Sequence, residues 1–459
     1  MSIDAGEIID GQTRNGLRAT IAALTFVVMF VDGFDLNLLG YIAPALMKQF
    51  DVGKPQFGSV VSAGLVGYMI GAFLLGDLGD RFGRRRLIIG GVVLFGLSTL
   101  AGALITSVPQ LVVLRLLAGI GLGGAIPNAI ALNAEYSPAR ARATGIGIMF
   151  VGYSLGGAAP GWMAPWLLPS YGWQAIFVVG GALPIIIAVL LGWALPESIR
   201  FLASRHPRDP ELFRLLSQLR PDLALTPGGA FHVQEEVKSG MPLRHLFRDG
   251  RAPITLLLWL AFIANLMALL FIISWTPTVL AGNGFPAERA ALLGAMFQTG
   301  GAFGSLLISY FVDRLGAKAI WLSFAAAAVC VASIGLLLGV SEIALVMLLF
   351  VSGLFATGGQ IGLNALAGTF YPTFIRATGV GWAFGIGRIG SILGPIAGGL
   401  LLATHMPLAP LFVCAALPFI VAGVAIAGLN VLRSRDVLRS RDVLRSRDTE
   451  PTILAGEPE

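Results

Sequence analysis

The chain of 459 residues is 56% hydrophobic and only 12% charged. Soluble domains carry about 25% charged residues, so this composition excludes a soluble globular protein and indicates a polytopic membrane protein. The formal net charge of +6 does not indicate nucleic acid, because the basic residues are distributed by membrane topology, as shown below.

In chain order, Met1 to Gly16 is polar and carries acids, so no cleavable signal peptide is expected. Spans one to six are predicted near residues 18–46, 57–78, 87–106, 109–134, 143–168 and 173–195. After a polar stretch from Pro196 to Ala252, spans seven to twelve are predicted near 253–280, 290–312, 319–339, 341–366, 377–402 and 408–430. Most exceed the roughly 20 residues that a bilayer core requires. The expected organisation is an all-α membrane protein with six-helix bundles over 1–196 and 253–430, a cytoplasmic central loop over 197–252 and a cytoplasmic tail over 431–459. The tail repeats Val-Leu-Arg-Ser-Arg-Asp three times from Val431 to Asp448. A period of six fits neither a helix nor a heptad, so a low-complexity, solvated tail beside the membrane is expected.

Of the 31 Lys and Arg, 26 fall on the side shared by both termini, 3 fall on the other side, and Arg115 and Arg388 lie inside spans. This bias places both termini in the cytoplasm. The first span holds two acids, in Val31-Asp32-Gly33-Phe34-Asp35. An acid near the bilayer centre costs roughly 2.5–3.5 kcal/mol on insertion scales. Asp32 and Asp35 share a helical face, and two carboxylates so close cannot both ionise cheaply. One of them is therefore expected to hold and release a proton; the alternative is a kinked segment whose acids sit among headgroups.

The halves are related. Gly76-Asp77-Leu78-Gly79-Asp80-Arg81-Phe82-Gly83-Arg84-Arg85-Arg86 follows span two, and Asp313-Arg314-Leu315-Gly316-Ala317-Lys318 follows span eight, an offset of 233 from Asp80 to Asp313. Arg142-Ala143-Thr144-Gly145 opens span five and Arg376-Ala377-Thr378-Gly379 opens span eleven, an offset of 234. Two motifs at nearly one offset indicate a parallel internal duplication, a transporter architecture with its site between the halves. The four histidines show no metal-ligand spacing and no phosphate-binding loop is present, so neither an enzyme nor an ATP-driven pump is expected, nor any cofactor or metal.

The loop from Gly76 to Arg86 resembles the loop 2–3 signature of the major facilitator superfamily, Gly-x-x-x-Asp-Arg-x-Gly-Arg-Arg. Arg115-Leu-Leu-Ala-Gly119-Ile-Gly121-Leu-Gly123 is similar to that superfamily's span-four arginine motif, and Pro196-Glu197-Ser198-Ile199-Arg200 to the Pro-Glu-Ser-x-Arg element of its sugar and organic-ion branches. Within it, Asp32-Gly33-Phe34-Asp35 resembles the mark of the aromatic acid/proton symporters, as do the segments around Gly121 to Asn128 and Gly385 to Pro395. The resemblance implies twelve helices in two pseudo-repeats around a central cavity, in a bacterial inner membrane. It also implies import of a benzoate, hydroxybenzoate or phenylpropionate with protons, by a monomer in the bilayer. An efflux antiporter is the rival reading. Its glycine run, Gly-x8-Gly-x3-Gly-Pro-x2-Gly-Gly, belongs in span five, whereas here Gly381, Gly390, Gly394-Pro395 and Gly398-Gly399 carry it in span eleven. A sugar or organic-ion carrier is the other alternative.

On that resemblance, Asp32 and Asp35 are expected to couple the proton. Arg388, flanked by Gly387 and Gly390, is expected to hold the carboxylate, because guanidinium matches it with two parallel hydrogen bonds. Structural pairing with Asp32 or Asp35 is the alternative for Arg388, and Arg115 ranks behind it. Asn128, Asn265, Gln298, Gln360 and Asn364 are candidates for ring hydroxyls or interhelical hydrogen bonds. Tyr68, Tyr153, Trp259, Trp275 and Trp382 are candidates to sandwich a ring, or else interface anchors. Asp80, Arg81 and Arg84, with their counterparts Asp313 and Arg314, and Glu135, Arg142 and Arg376 beside them, are expected to latch the cytoplasmic ends together.

Overall fold

The computed structural model describes residues 3–13, 16–76, 78–138, 142–223, 231–232, 243–248, 251–337, 341–367, 370–371, 376–404 and 406–448. The apolar runs form helices α2 (Gly16–Phe50), α3 (Lys54–Leu75), α5 (Arg84–Ala101), α6 (Val108–Glu135) and α7 (Arg142–Ala194) in the first half, with the single turn α4 (Gly79–Phe82) in loop 2–3. The second half comprises α10 (Ala252–Gly282), α11 (Ala287–Leu315), α12 (Ala317–Leu337), α13 (Glu342–Ala367), α14 (Arg376–Ala403) and α15 (Leu408–Asp448). Among the described residues, eleven helices are thus long and apolar enough to cross a bilayer. The expected number is twelve, and α7 resolves the difference. Its 53 residues would extend about 80 Å at 1.5 Å per residue, against a hydrocarbon core of about 30 Å. Gly172 breaks it with φ 69° and ψ −174°, a conformation nearly closed to residues with a Cβ. α7 therefore carries spans five and six.

The duplication reappears as repeated helix contacts. Gly67 and Gly71 of α3 lie against the Leu116 and Ile120 backbones of α6, and Gly300 and Gly304 of α11 lie against Phe350 and Leu354 of α13. Each partner is displaced by 233 or 234 residues. Likewise Gly156 lies against Phe30, and Gly390 against Ile263. With no hydrophobic effect to drive helices together in lipid, close backbone approach through small residues supplies the packing. Between the halves, α3 packs on α14 and α7 on α11, two seams that the pseudo-twofold exchanges, while α2 packs on α10.

The seams are closed on the side away from the termini. Ser62 Oγ donates to the Ile392 carbonyl at 2.8 Å and Lys54 Nζ to the Leu402 carbonyl at 3.4 Å, while Gly58 and Gly399 meet the opposite backbones. Toward the termini the same helices separate. Gly147, Gly381 and Gly385 face open space, and Phe73 at the end of α3 is 71% exposed.

A small cap covers the terminal end of the first half. It comprises α1 (Ala5–Asp10), α8 (Ile199–Arg205) and α9 (Pro210–Leu219), with β1 (Ile3–Asp4) pairing in parallel with β2 (Phe231–His232). Leu212, Leu215, Leu216 and Leu219 give α9 one apolar face, which buries against Ile8 and Ile9. This two-strand pairing is the described exception to the all-helical expectation. The tail differs too: α15 continues through the repeats to Asp448 as helix. Leu and Arg are strong helix formers, and neither Gly nor Pro interrupts 431–448.

Candidate functional site

At mid-depth the halves enclose a cavity of about 190 Å³. Its walls are mostly apolar, including Phe150, Phe262 and Phe384, and its polar lining is Asp32, Tyr68, Tyr153, Ser154, Gln298, Thr357, Gln360, Asn364 and Arg388. α2 brings Asp32 to it because Gly33 lies directly against the Tyr153 backbone of α7. Any side chain at that position would drive the two helices apart, which is why a glycine follows Asp32.

The two acids have different surroundings. Asp35 Oδ1 pairs with Arg115 Nη1 at 2.5 Å, and Arg115 Nη2 donates to Thr99 Oγ1 at 2.9 Å. Arg115 is 2% exposed and its guanidinium lies 5.6 Å from the Phe177 ring centroid. Asp32 is 6% exposed, and among the described residues it makes no hydrogen bond or ion pair. It shares the cavity with Arg388, whose Cζ lies 4.2 Å from the Tyr68 ring centroid across the α3–α14 seam. A smaller cavity on the closed side joins Asp32 and Tyr68 to Asp35 and Arg115. The structure thus places Arg388 beside Tyr68, with Arg115 as the partner of Asp35. A buried pair broken on one side leaves a charge uncompensated, at about 3–5 kcal/mol. Asp35→Ala should therefore lower the melting temperature in detergent sharply, and Asp35→Leu with Arg115→Met should restore most of it.

The amides are ordered as well. Asn37 Nδ2 donates to the Gly33 carbonyl at 2.8 Å, and Gln298 Nε2 donates to Asn37 Oδ1 at 2.7 Å. Asn265 Nδ2 donates to Gln360 Oε1 at 2.6 Å and Gln360 Nε2 to Asn364 Oδ1 at 2.8 Å. Of the expected substrate residues, Arg388, Tyr153, Gln298, Gln360 and Asn364 line the cavity. Asn265 stands behind Gln360. Asn128 lies elsewhere, donating to the Gly124 carbonyl at 2.8 Å and to the Leu75 carbonyl at 3.4 Å. Trp382 is 39% exposed and stacks on Trp259, with centroids 6.2 Å apart. Both therefore fall outside the cavity lining.

Among the expected latch residues whose side chains are described, Arg84 and Glu135 meet within the first half. Arg84 Nη1 pairs with Glu135 Oε1 at 2.5 Å, and Ser198 Oγ donates to Glu135 Oε2 at 2.6 Å. Arg85 N donates to Glu197 Oε1 at 3.1 Å, and Gly83, at φ 94°, lies against that carboxylate. Glu197 and Ser198 of the Pro-Glu-Ser-x-Arg element thus bind loop 2–3 to α6, a role that only contacts over 112 and 63 residues reveal. Arg81 is exposed, and Arg314 lies over Tyr310 at 4.2 Å. The side chains of Asp80, Arg142, Asp313 and Arg376 lie outside the described residues. The glycine run of span eleven has a packing role: Gly390, Gly394 and Gly398 meet Ile263, Met267 and Trp275 of α10.

Two related helical halves, closed on one side over a charged mid-depth cavity, define a membrane transporter. The model of the Major Facilitator Superfamily matches residues 25–343 and 282–449. The chain is 38% identical to the gallate transporter of Pseudomonas putida, covering 94% of this chain and 96% of that one. It is 37% identical to the 4-hydroxybenzoate transporter of the same organism, covering 93% and 96%. Among solved structures, the partially occluded inward-open xylose transporter of Escherichia coli superposes with a TM-score of 0.69 at 18% identity, covering 89% and 96%. The chain belongs to the Major Facilitator Superfamily.

Proposed function

We propose that this protein imports a single-ring aromatic carboxylate together with a proton across the bacterial inner membrane by alternating access. The observation that carries this reading is the shared cavity of Arg388 and Asp32, which among the described residues are a cation with no ion-paired carboxylate and an acid with no hydrogen-bond donor. A buried ionised carboxylate without a donor is expensive, so Asp32 is the group suited to take the proton. Asp35 is already neutralised by Arg115. The cavity of about 190 Å³ compares with the roughly 150 Å³ apolar cavity that holds benzene, which supports one ring with small substituents. The relatives' names, gallate and 4-hydroxybenzoate transporter, support the same chemistry.

With both termini cytoplasmic, the open side faces the cytoplasm and the structure is inward-facing. The opposite movement would close loop 2–3, through Asp80, Arg81 and Arg84, against the second half, with Asp313 and Arg314 in the symmetric position. Import of an anion into a negative interior costs about 2.3 kcal/mol per 100 mV, and one proton per anion removes that cost. In proteoliposomes with an acidic exterior, labelled 4-hydroxybenzoate should accumulate and a protonophore should abolish accumulation. Accumulation indifferent to the pH gradient would overturn the coupling, and stimulation by the reversed gradient would indicate efflux.

A further inference from the structure

The cavity has two poles built from equivalent positions of the duplication. Phe150 and Phe384 both line it, 234 residues apart, the same offset as the motifs that open spans five and eleven. One turn further along, the same offset relates Ser154 to Arg388. The cation therefore stands at the α3–α14 seam, and a serine occupies the symmetric place at the α7–α11 seam. Because the pseudo-twofold exchanges the seams, these two side chains approach the cavity from opposite sides. Two phenyl rings flank it in symmetric positions, while its ends carry different chemistry.

The serine pole is polar. Ser154 is 1% exposed, and its hydroxyl has no hydrogen-bond partner among the described residues. Beside it, Gln298 has only one possible orientation. The Gly33 carbonyl can only accept, so Asn37 must point Nδ2 toward it and Oδ1 toward Gln298. Gln298 must answer with Nε2, which leaves its Oε1 facing the cavity with no donor among the described residues. A fixed acceptor beside a hydroxyl repels a second carboxylate and rewards a group that donates and can also accept. A phenol is such a group, and it stays neutral near pH 7 because its pKa is about 10.

We infer that Ser154 and Gln298 read a ring hydroxyl remote from the carboxylate, so that the substrate lies across the cavity in one orientation, carboxylate on Arg388 and hydroxyl at the α7–α11 seam. This rests on the aromatic-acid reading above and adds to it two specificity-determining residues and a substitution pattern. A hydroxyl at the para or meta position can span the poles. An ortho hydroxyl stays beside the carboxylate and cannot.

The test is equilibrium binding by the purified full-length protein in lipid nanodiscs. The probes are benzoate and 2-hydroxy-, 4-hydroxy- and 4-methoxybenzoate; the proteins are wild type, Ser154→Ala, Gln298→Leu and Arg388→Ala. A polar group built to bond a hydroxyl and left unpaired costs affinity, typically about 10- to 100-fold. The wild type should bind 4-hydroxybenzoate at least about tenfold more tightly than benzoate or the methoxy ether, which cannot donate. The 2-hydroxy acid should resemble benzoate. In Ser154→Ala and Gln298→Leu the preference for 4-hydroxybenzoate over benzoate should shrink to within about threefold. Ser154 has no partner to lose, so its variant keeps the test valid if Gln298→Leu, which gives up the Asn37 bond, fails to fold. A wild type without preference, or a preference intact in Ser154→Ala and in any folded Gln298→Leu, would overturn the inference. Failure of the underlying reading looks different: the wild type would bind none of the four acids, or Arg388→Ala would bind them unchanged.

Discussion

Arg388→Ala binds an aromatic carboxylate about 30- to 5000-fold more weakly than the wild type while remaining folded and inserted, the span expected when a buried charge partner worth about 2–5 kcal/mol is removed. The prediction follows from the surroundings of the guanidinium. Its Cζ lies 4.2 Å from the Tyr68 ring centroid, a contact that holds the planar group at the cavity wall. A guanidinium carries five N–H donors, so donors remain for a carboxylate entering the cavity beside the one that meets Tyr68. Arg388→Lys keeps the charge but loses the two-pronged geometry and the flat stacking surface, so it should fall between wild type and alanine. Nanodisc calorimetry decides this. Equal affinity in all three proteins would make Arg388 a structural residue of the α3–α14 seam and leave the carboxylate site unassigned.

Asp32→Asn should abolish uphill uptake while leaving exchange of labelled for unlabelled substrate across the membrane. Asparagine matches the shape of a protonated aspartate, so the cavity remains, but it cannot release a proton to the other side. With a potential of 100 mV, negative inside, an anion carried without its proton equilibrates at an internal concentration about one-fiftieth of the external one. The expected change is thus from accumulation to exclusion, a reversal of sign. Accumulation ratios and counterflow in the same proteoliposomes separate the two activities, and undiminished pH-driven accumulation by Asp32→Asn would remove Asp32 from the coupling. Substrate and proton are linked in binding as well. A carboxylate on Arg388 draws the nearby positive charge away from Asp32, so anion and proton should each tighten the binding of the other by the same factor.

Much of this molecule is local, and local features are legible in a chain of residues. Long apolar runs predict the spans because lipid leaves backbone groups no partner outside the helix. The paired motifs at 233 and 234 residues predict the duplication, and the glycine contacts at the same offsets are its physical form. Both intramembrane arginines and both acids stand out because charge in an apolar run is costly. The helical tail was equally local, and its helix propensity rather than its period of six was the signal to read.

What the tertiary structure decided is which of these groups meet. Asp32 and Asp35 share a helical face, yet one faces the cavity and the other is committed to Arg115, 80 residues away. Asn128 and Gln298 are alike in the chain as lone polar residues within apolar spans. The first ties α6 to the end of α3, and the second reaches Asn37 across 261 residues and presents an acceptor to the cavity. Trp382 belongs to the same helix as Arg388 but faces Trp259 instead of the cavity. Such distinctions depend on the rotation of each helix about its axis and on its neighbours. In lipid that rotation is set by glycine contacts and hydrogen bonds between helices, because an apolar face gains nothing by turning away from an apolar solvent.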